Sequence, residues 1–209
     1  MTPAEFTRQL NELRAIIGYG MNFFSAWQEL MVEDEESVCA LNQYRGLFLT
    51  AREALSRAAI LQFAKVFDYA ARASESTVSL PNLVRAAKID LAGLIPHGTL
   101  QDLQEIEQKM EANKRVLSRL QTVRNQRTAH HQAVPSKKAR LRFGETKRLA
   151  DEIQSMYNCL RRAHDGKGTS FDPMAREVKH HTAAVVGIMK EEMERVRETT
   201  KRMEEDTRT

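Results

Sequence analysis

Apolar residues recur every three to four positions over most of the chain, and this spacing constrains the fold more than any other feature. Between residues 41 and 67 the repeat consists of Leu41, Tyr44, Phe48, Ala51, Leu55, Ala58, Leu61 and Phe67. A repeat near 3.6 residues places apolar side chains along one face of an α-helix. Only nine Gly and five Pro interrupt the 209 residues. The sequence therefore predicts an all-α fold.

Capping residues indicate where the helices begin. Thr2-Pro3, Ser79-Leu80-Pro81 and Asp172-Pro173 each combine a polar cap with an early proline, and Thr99 is followed at the third position by Asp102. We expect a second helix to begin at Ser37 and to continue past residue 65. Further helices are predicted over about 80–94, from 99 to 131, over 145–163, and from 173 to 206. No shift in composition divides the chain, so residues 1–209 are predicted to form one domain.

The predicted last helix has a narrow apolar seam. Its members alternate steps of four and three residues: Thr182, Val186, Met189, Met193, Val196, Thr200 and Met203. This is the spacing of a coiled-coil seam. The seam can pack on the chain's own helices or on a second subunit, and the sequence does not distinguish the two.

The sequence also restricts the environment of the protein. It has no long uncharged apolar run, and its N-terminus carries Glu5 where a signal peptide would be basic and then apolar. Cys39 and Cys159 lack the spacing of a zinc site or a disulfide framework. We expect a cytoplasmic protein with no membrane association and no metal or cofactor.

Charge is unevenly distributed along the chain. Residues 1–36 contain seven acids against two bases, whereas residues 114–148 contain eleven bases against Glu145 alone. A basic segment of this kind is typical of proteins that bind a polyanion such as RNA, although a solvated helix face followed by a basic loop has the same composition. The residues in and near the predicted loop that are expected to contact RNA are Arg119, Lys137, Lys138, Arg140 and Arg142.

The end of the predicted fourth long helix combines side chains suited to phosphodiester chemistry. Arg124, Asn125 and His130 lie within seven residues, with Arg127 and His131 beside them. Arginine matches a phosphate with a planar fork of donors, and histidine transfers protons near neutral pH. Such residues also occur by chance at the surface of a helix end. In a regular helix His130 is about 120° from Arg124 and His131 about 20°, so either histidine is a candidate.

Two motifs in this order resemble a known superfamily. Arg124-Asn125 followed by Ala129-His130 is similar to the HEPN signature, in which an Arg, a polar residue and a His end a long helix. Phe67-Asp68-Tyr69, together with the segment Thr-Val-Ser-Leu-Pro-Asn-Leu-Val-Arg at 77–85, is similar to the AbiU-like abortive-infection branch. The resemblance covers roughly residues 40 to 165, and we place the core of the HEPN-like domain at about 37–165.

The resemblance implies an up-and-down helical bundle of the HEPN type, a homodimer, and metal-independent RNA cleavage that leaves a 2′,3′-cyclic phosphate. Arg124 would stabilise the phosphate, Asn125 would orient substrate or histidine, and His130 would transfer protons. Asp68 is a further candidate, as an acid facing the motif or as a surface acid paired with Arg72. The implied role is that of a toxin or phage-defence effector, with an antitoxin protein as a possible partner. A non-catalytic module that binds RNA, a nucleotide or a protein is the alternative, and a helical scaffold is a third.

Overall fold

The computed structural model describes residues 1–68, 77–129 and 141–206, with the backbone alone described for 126–129. This part of the chain contains helices and no strand, which confirms the all-α prediction and the long C-terminal helix. The helices are α1 (Pro3–Glu29), α2 (Glu35–Gln43), α3 (Arg45–Val66), α4 (Leu80–Ile89), α5 (Leu91–Leu94), α6 (Leu100–Ala112), α7 (Lys114–Ala129), α8 (Phe143–Asp165) and α9 (Asp172–Asp206). None of the described helices is both long and apolar enough to cross a membrane.

Local capping explains several of the observed helix starts. The backbone N–H of Glu5 donates to Oγ1 of Thr2 at 3.2 Å, ahead of α1. Thr99 and Asp102 form a reciprocal capping box at the start of α6, with Thr99 N donating to the carboxylate at 2.7 Å. Each bond satisfies an N–H group that has no partner inside the helix. These starts were predictable because a cap and its helix lie within a few residues.

Each of three predicted helices is divided into two shorter helices. A single residue separates α2 from α3 at Tyr44, α4 from α5 at Asp90, and α6 from α7 at Asn113. Asp90 accepts from Gly93 N at 3.0 Å and so caps a new helix. The Asn113 side chain donates to the carbonyl of Lys109 at 2.9 Å. One-residue breaks hardly disturb a 3.6-residue repeat, so the pattern of apolar residues did not reveal them.

The acidic run is part of the second helix. Asp34 caps α2 by accepting from Ser37 N at 2.8 Å, and Glu35 and Glu36 occupy the first turn, so the helix begins two residues before the predicted start. The hydrogen bonds from Ser37 lower the pKa of Asp34 to about 2. The ionised acids at this helix start are favourable because the N-terminus of a helix carries partial positive charge.

Backbone contacts divide the chain into two compact units. The first comprises residues 1–21 and 58–171, and the second 22–57 and 172–209. In the first unit α6 packs against α4, α7 and α8. The largest fully buried side chains of this unit are Tyr157, Phe6, Phe63, Phe67, Leu10, Leu13, Ile17, Leu80, Leu83, Leu94, Ile95 and Leu103. The expectation that residues 1–209 form one domain stays a prediction.

In the second unit α2 packs against α9. Its apolar cluster contains Leu30, Leu41, Phe48 and Val186, with Val32, Ala51, Leu55 and Met189 partly buried against them. Met193 is also buried, whereas Val196 and Met203 are exposed by 51% and 67%. The first half of the predicted seam on α9 therefore packs on the chain's own helices, and the second half faces solvent.

Candidate active site at the end of helix α7

The two apolar residues that anchor α7 determine where its functional side chains lie. Leu120 and Val123 are buried, at 0% and 2% exposed. Arg124 follows Val123 immediately, so the helical turn of about 100° carries its side chain to the border between core and solvent. There the Arg124 side chain is 30% exposed. A partly buried arginine at a helix end keeps its charge and remains accessible to a polyanion.

Arg124 forms an ion pair with Asp68. Its Nη1 contacts Oδ2 of Asp68, whose side chain is 29% exposed. Asp68 comes two residues after the last residue of α3, and its neighbour Phe67 is only 1% exposed, so the core fixes the position of the acid. The Nε2 of Gln121 donates to the Phe67 carbonyl at 3.4 Å, one helical turn before Arg124. Two contacts thus connect α7 to the end of α3.

This arrangement orients a guanidinium group in advance. Arginine has five N–H donors in a fixed plane, so pairing with a carboxylate gives the guanidinium a defined orientation. A phosphate that approaches this site meets a cation whose orientation Asp68 already restricts. The negative charge of Asp68 also repels the phosphate. Asp68 therefore favours phosphate binding by orienting Arg124 and disfavours it by its own charge.

The remaining residues of the predicted motif are described less completely. Asn125 is exposed at the surface of α7. Arg127 lies within α7, but only its backbone is described. The other predicted site residues lie outside the described residues: His130, His131, Lys137, Lys138 and Arg140. The choice between His130 and His131 therefore stays open, as it was from the sequence.

A second ion pair connects α7 to α8. Arg119 donates to Glu145 through Nη1 at 2.7 Å and Nη2 at 3.1 Å, and Glu145 Oε2 accepts from Arg142 N at 2.8 Å. The hydrogen bond from Arg119, followed by that from the Arg142 backbone, lowers the pKa of Glu145 below its ordinary value. Glu145 is the single acid among residues 114–148, and this isolation was the signal that could have predicted its role. RNA contact by Arg119 would have to compete with this carboxylate.

His164, in the first unit, is held by contacts within the protein. His164 contacts Thr7 Oγ1 through Nε2 at 2.8 Å and the Leu94 carbonyl through Nδ1 at 2.5 Å. Its ring also packs against Phe6, with centroids 5.0 Å apart. Both ring nitrogens are engaged in the core, so His164 is a packing residue rather than a candidate for proton transfer to a substrate.

A known family model matches most of the chain. The family model HEPN_AbiU2, described as AbiU2, matches residues 3–185. The matched range includes the Asp68–Arg124 pair and nearly half of α9. Searches of curated proteins and of solved structures found no match. Because the family model spans well over half of its length, the chain belongs to the AbiU2 family of HEPN proteins.

Proposed function

We propose that this protein is a metal-independent endoribonuclease whose active site is built on Arg124 and a histidine at the end of α7. The observation that carries the proposal is the Arg124–Asp68 ion pair, which holds a phosphate-binding side chain at the border of the core. Membership of a HEPN family and the basic character of residues 114–148 support the same chemistry.

The proposed reaction is an internal transesterification. The ribose 2′-oxygen attacks the adjacent phosphorus and its proton passes to a histidine, for which we propose His130, with His131 as the alternative. The bond from phosphorus to the 5′-oxygen then breaks, and the leaving oxygen takes up a proton. The products are a 2′,3′-cyclic phosphate and a 5′-hydroxyl. Arg124 stabilises the negative charge that develops on the phosphorane, and Asn125 orients the substrate or the histidine.

We further propose that the protein acts in the cytoplasm as a toxin or phage-defence effector, controlled by an antitoxin protein, and that it functions as a homodimer. Exposed apolar residues on α9 support dimerisation. Val185, Ile188, Val196 and Met203 are 49%, 65%, 51% and 67% exposed. At about 100° per residue these four side chains lie within about 80° of one another around the helix. An exposed apolar stripe on a long helix is suited to pairing with the same stripe on a second copy.

Cleavage in excess EDTA tests the proposed reaction. We expect wild-type protein to convert labelled RNA to products with 2′,3′-cyclic phosphate ends, and Arg124→Ala to reduce kcat by at least about 10²-fold, the scale for losing one donor to the transition state. His130→Ala and His131→Ala, assayed side by side, identify the histidine. Arg8→Ala is the matched control, because Arg8 lies on the exposed face of α1 and its ion pair within the described residues is local, with Glu12. Undiminished cleavage by Arg124→Ala would exclude this mechanism.

The basic segment also favours a second candidate, a module that binds RNA without cleaving it. Eleven bases against one acid over residues 114–148 are sufficient for salt-dependent binding whether or not a reaction follows. Binding that weakens steeply with salt, with no cyclic-phosphate product from the wild type, would favour this candidate over the nuclease.

A further inference from the structure

A groove lies beside the Arg124–Asp68 pair, between α4, α6 and α7. It encloses about 630 Å³, within the range of about 300–1,000 Å³ typical of small-ligand sites. All of the residues that line it belong to the first compact unit. Its apolar lining consists of Pro81 and Val84 from α4, Met110 from α6 and Leu117 from α7.

The polar lining of the groove carries a small excess of positive charge. Lys88 pairs with Glu107 at 2.6 Å and Lys114 pairs with Glu111 at 2.8 Å. Arg85, which also lines the groove, is exposed and pairs with no carboxylate among the described residues. The two Lys–Glu pairs balance one another, so the net charge of the lining comes from Arg85.

Gln121 connects the groove to the proposed active site. Its side chain lines the groove and its Nε2 donates to the Phe67 carbonyl, next to Asp68. Arg124 lies one turn further along the same helix and pairs with Asp68. Three residues of helix rise about 4.5 Å, which is no longer than one nucleotide of an extended strand. A strand that places one phosphate at Arg124 therefore has its neighbouring nucleotide over this end of the groove.

We propose that the groove binds a nucleotide of single-stranded RNA next to the scissile phosphate. The proposal rests on the nuclease function proposed above for the choice of strand. The nucleobase lies against the apolar lining formed by Val84, Met110 and Leu117, and Arg85 contacts the phosphate. The carboxylates of Glu107 and Glu111 accept hydrogen bonds from amino groups at the edge of the base, and the lysines donate to its carbonyl groups. A nucleotide uses both the apolar lining and the excess of positive charge, whereas an acidic ligand without a base uses only the charge and an apolar peptide uses only the apolar lining.

Binding measured without cleavage tests the groove separately from catalysis. The probe is a short fluorescent oligocytidylate, whose bases carry both an amino and a carbonyl group. Its riboses are 2′-O-methylated and so lack the nucleophilic hydroxyl, and anisotropy is recorded at several salt concentrations. We expect Arg85→Glu to weaken binding about tenfold and to reduce the slope of log K against log salt by about 0.7, the value for one phosphate contact on a single strand. Lys167→Glu introduces the same change of charge in the exposed turn after α8, outside the groove, and should leave the affinity unchanged.

A cleavage assay then gives a second readout. Arg85→Glu should lower kcat/KM for a long oligoribonucleotide and leave it unchanged for a dinucleotide, whose single phosphate is the scissile one, so that it has no second phosphate for Arg85 to contact. Equal affinity of Arg85→Glu and wild type for the probe would overturn the groove proposal, as would an equal loss in Lys167→Glu. If the wild type cleaves nothing but Arg85→Glu still loses affinity, the groove proposal stands and the nuclease proposal fails. If cleavage depends on Arg124 but is unchanged in Arg85→Glu, the nuclease proposal stands and the groove proposal fails.

Discussion

Asp68 has two opposite effects on the chemistry of Arg124. By pairing with the guanidinium it restricts the orientation of the side chain before substrate binds, which lowers the cost of reaching the transition state. By its negative charge it repels the phosphate. Orientation of Arg124 mainly lowers the free energy of the transition state and so changes kcat, whereas repulsion of the phosphate weakens substrate binding and so changes KM. Measuring kcat and KM therefore separates the two effects.

Asp68→Asn should lower kcat and KM together. The amide keeps the size of the side chain but loses the charge, so Arg124 is less well oriented while RNA binds more readily. We expect kcat to fall about 10- to 100-fold, as for misplacement of a catalytic group by about 1 Å, and KM to fall as well. Steady-state kinetics on a single RNA measures both parameters.

The matched control for this prediction is Asp151→Asn, an exposed acid on α8. It removes the same charge from the first unit and should change neither parameter. If Asp68→Asn raised kcat or left both parameters unchanged, Asp68 would not be a positioning residue for Arg124.

The sequence named both members of this pair and offered Asp68 as an acid facing the motif, with a surface pair to Arg72 as the alternative, but it did not specify the contact with Arg124. Arg124 followed from the chemistry of the helix end, and Asp68 from the resemblance of the segment around Phe67. The two residues are far apart in the chain, and only the packing of α7 against the end of α3 brings them together. The contact of Arg119 with Glu145 was missed for the same reason, because no local repeat encodes a pair 26 residues apart.

At the scale of elements, helix starts were predictable and helix breaks were not. A cap such as Thr99 acts on backbone groups three residues away, so its signal is local. The break at Asn113 occurs between two helices that continue the same apolar repeat, and the sequence predicted one helix there. The breaks interrupt the helices without changing the apolar periodicity, so the periodicity carries no signal for them.

Glu145→Gln tests the link between α7 and α8 through its pH dependence. The folded protein holds the pKa of Glu145 below its ordinary value of 4.5, so the charged form contributes stability above that pH and loses it as pH falls through the folded-state pKa. We expect the variant to be less stable than wild type by about 1 kcal/mol at pH 7, since the ion pair is only partly buried. The difference should disappear at acidic pH.

Urea denaturation at a series of pH values measures this difference. Glu12→Gln is the control, because Glu12 forms an exposed pair with Arg8 in which both side chains are more than half exposed. It should cost less than about 0.5 kcal/mol at any pH. A Glu145→Gln deficit that persisted unchanged to pH 3 would show that the charge is not the source of the stability.

Gly98→Ala tests the close approach of the turn before α6 to the end of α8. A Cβ at Gly98 would overlap Cβ of Ala163 and lie 2.9 Å from its Cα, while His97 N donates to the Ala163 carbonyl at 3.0 Å. Backbone must therefore shift, and we expect a loss of about 1–3 kcal/mol in the free energy of unfolding. Circular dichroism during chemical denaturation measures this loss.

Gly18→Ala is the matched substitution. A Cβ at Gly18 meets none of the described atoms within 4 Å beyond the backbone of its own helix. Because alanine is the better helix former, this variant should gain up to about 1 kcal/mol. Equal effects of the two substitutions would contradict a tight contact at Gly98.

At the scale of the whole molecule, the sequence predicted a charge asymmetry and an apolar seam, and the structure assigns different roles to parts of each. Acids of the N-terminal segment stabilise the second unit, where Lys190 lies 3.1 Å from Asp34 and 3.5 Å from Glu36. Some bases of the second segment also have structural partners, as Arg119 does. Burial of Val186 and Met193 within the second unit takes up half of the seam. Net charge and apolar periodicity indicate which segments can form a binding surface. The contacts within the protein then show which of those residues are already paired or buried.

The exposed stripe on α9 allows the proposed homodimer to be tested with one residue. Ile188 is 65% exposed and lies among the other exposed apolar side chains of the stripe. Ile188→Glu would place a charge in this helix–helix interface, where desolvation of the carboxylate opposes association. We expect a loss of at least about 2 kcal/mol, which raises the dimer Kd at least about 30-fold.

Sedimentation equilibrium at several concentrations measures that Kd. Ala183→Glu is the control, because Ala183 is exposed on the same helix but about 140° away from Ile188 around its axis. Ala183→Glu should associate as the wild type does, with unfolding of both variants followed in parallel. Since Ile188 is exposed, its substitution should leave thermal stability of the monomer unchanged, and a reduced mass then reports on assembly alone. A wild-type chain that stays monomeric at micromolar concentrations, or an Ile188→Glu variant that dimerises as tightly as wild type, would remove this stripe as the dimer interface.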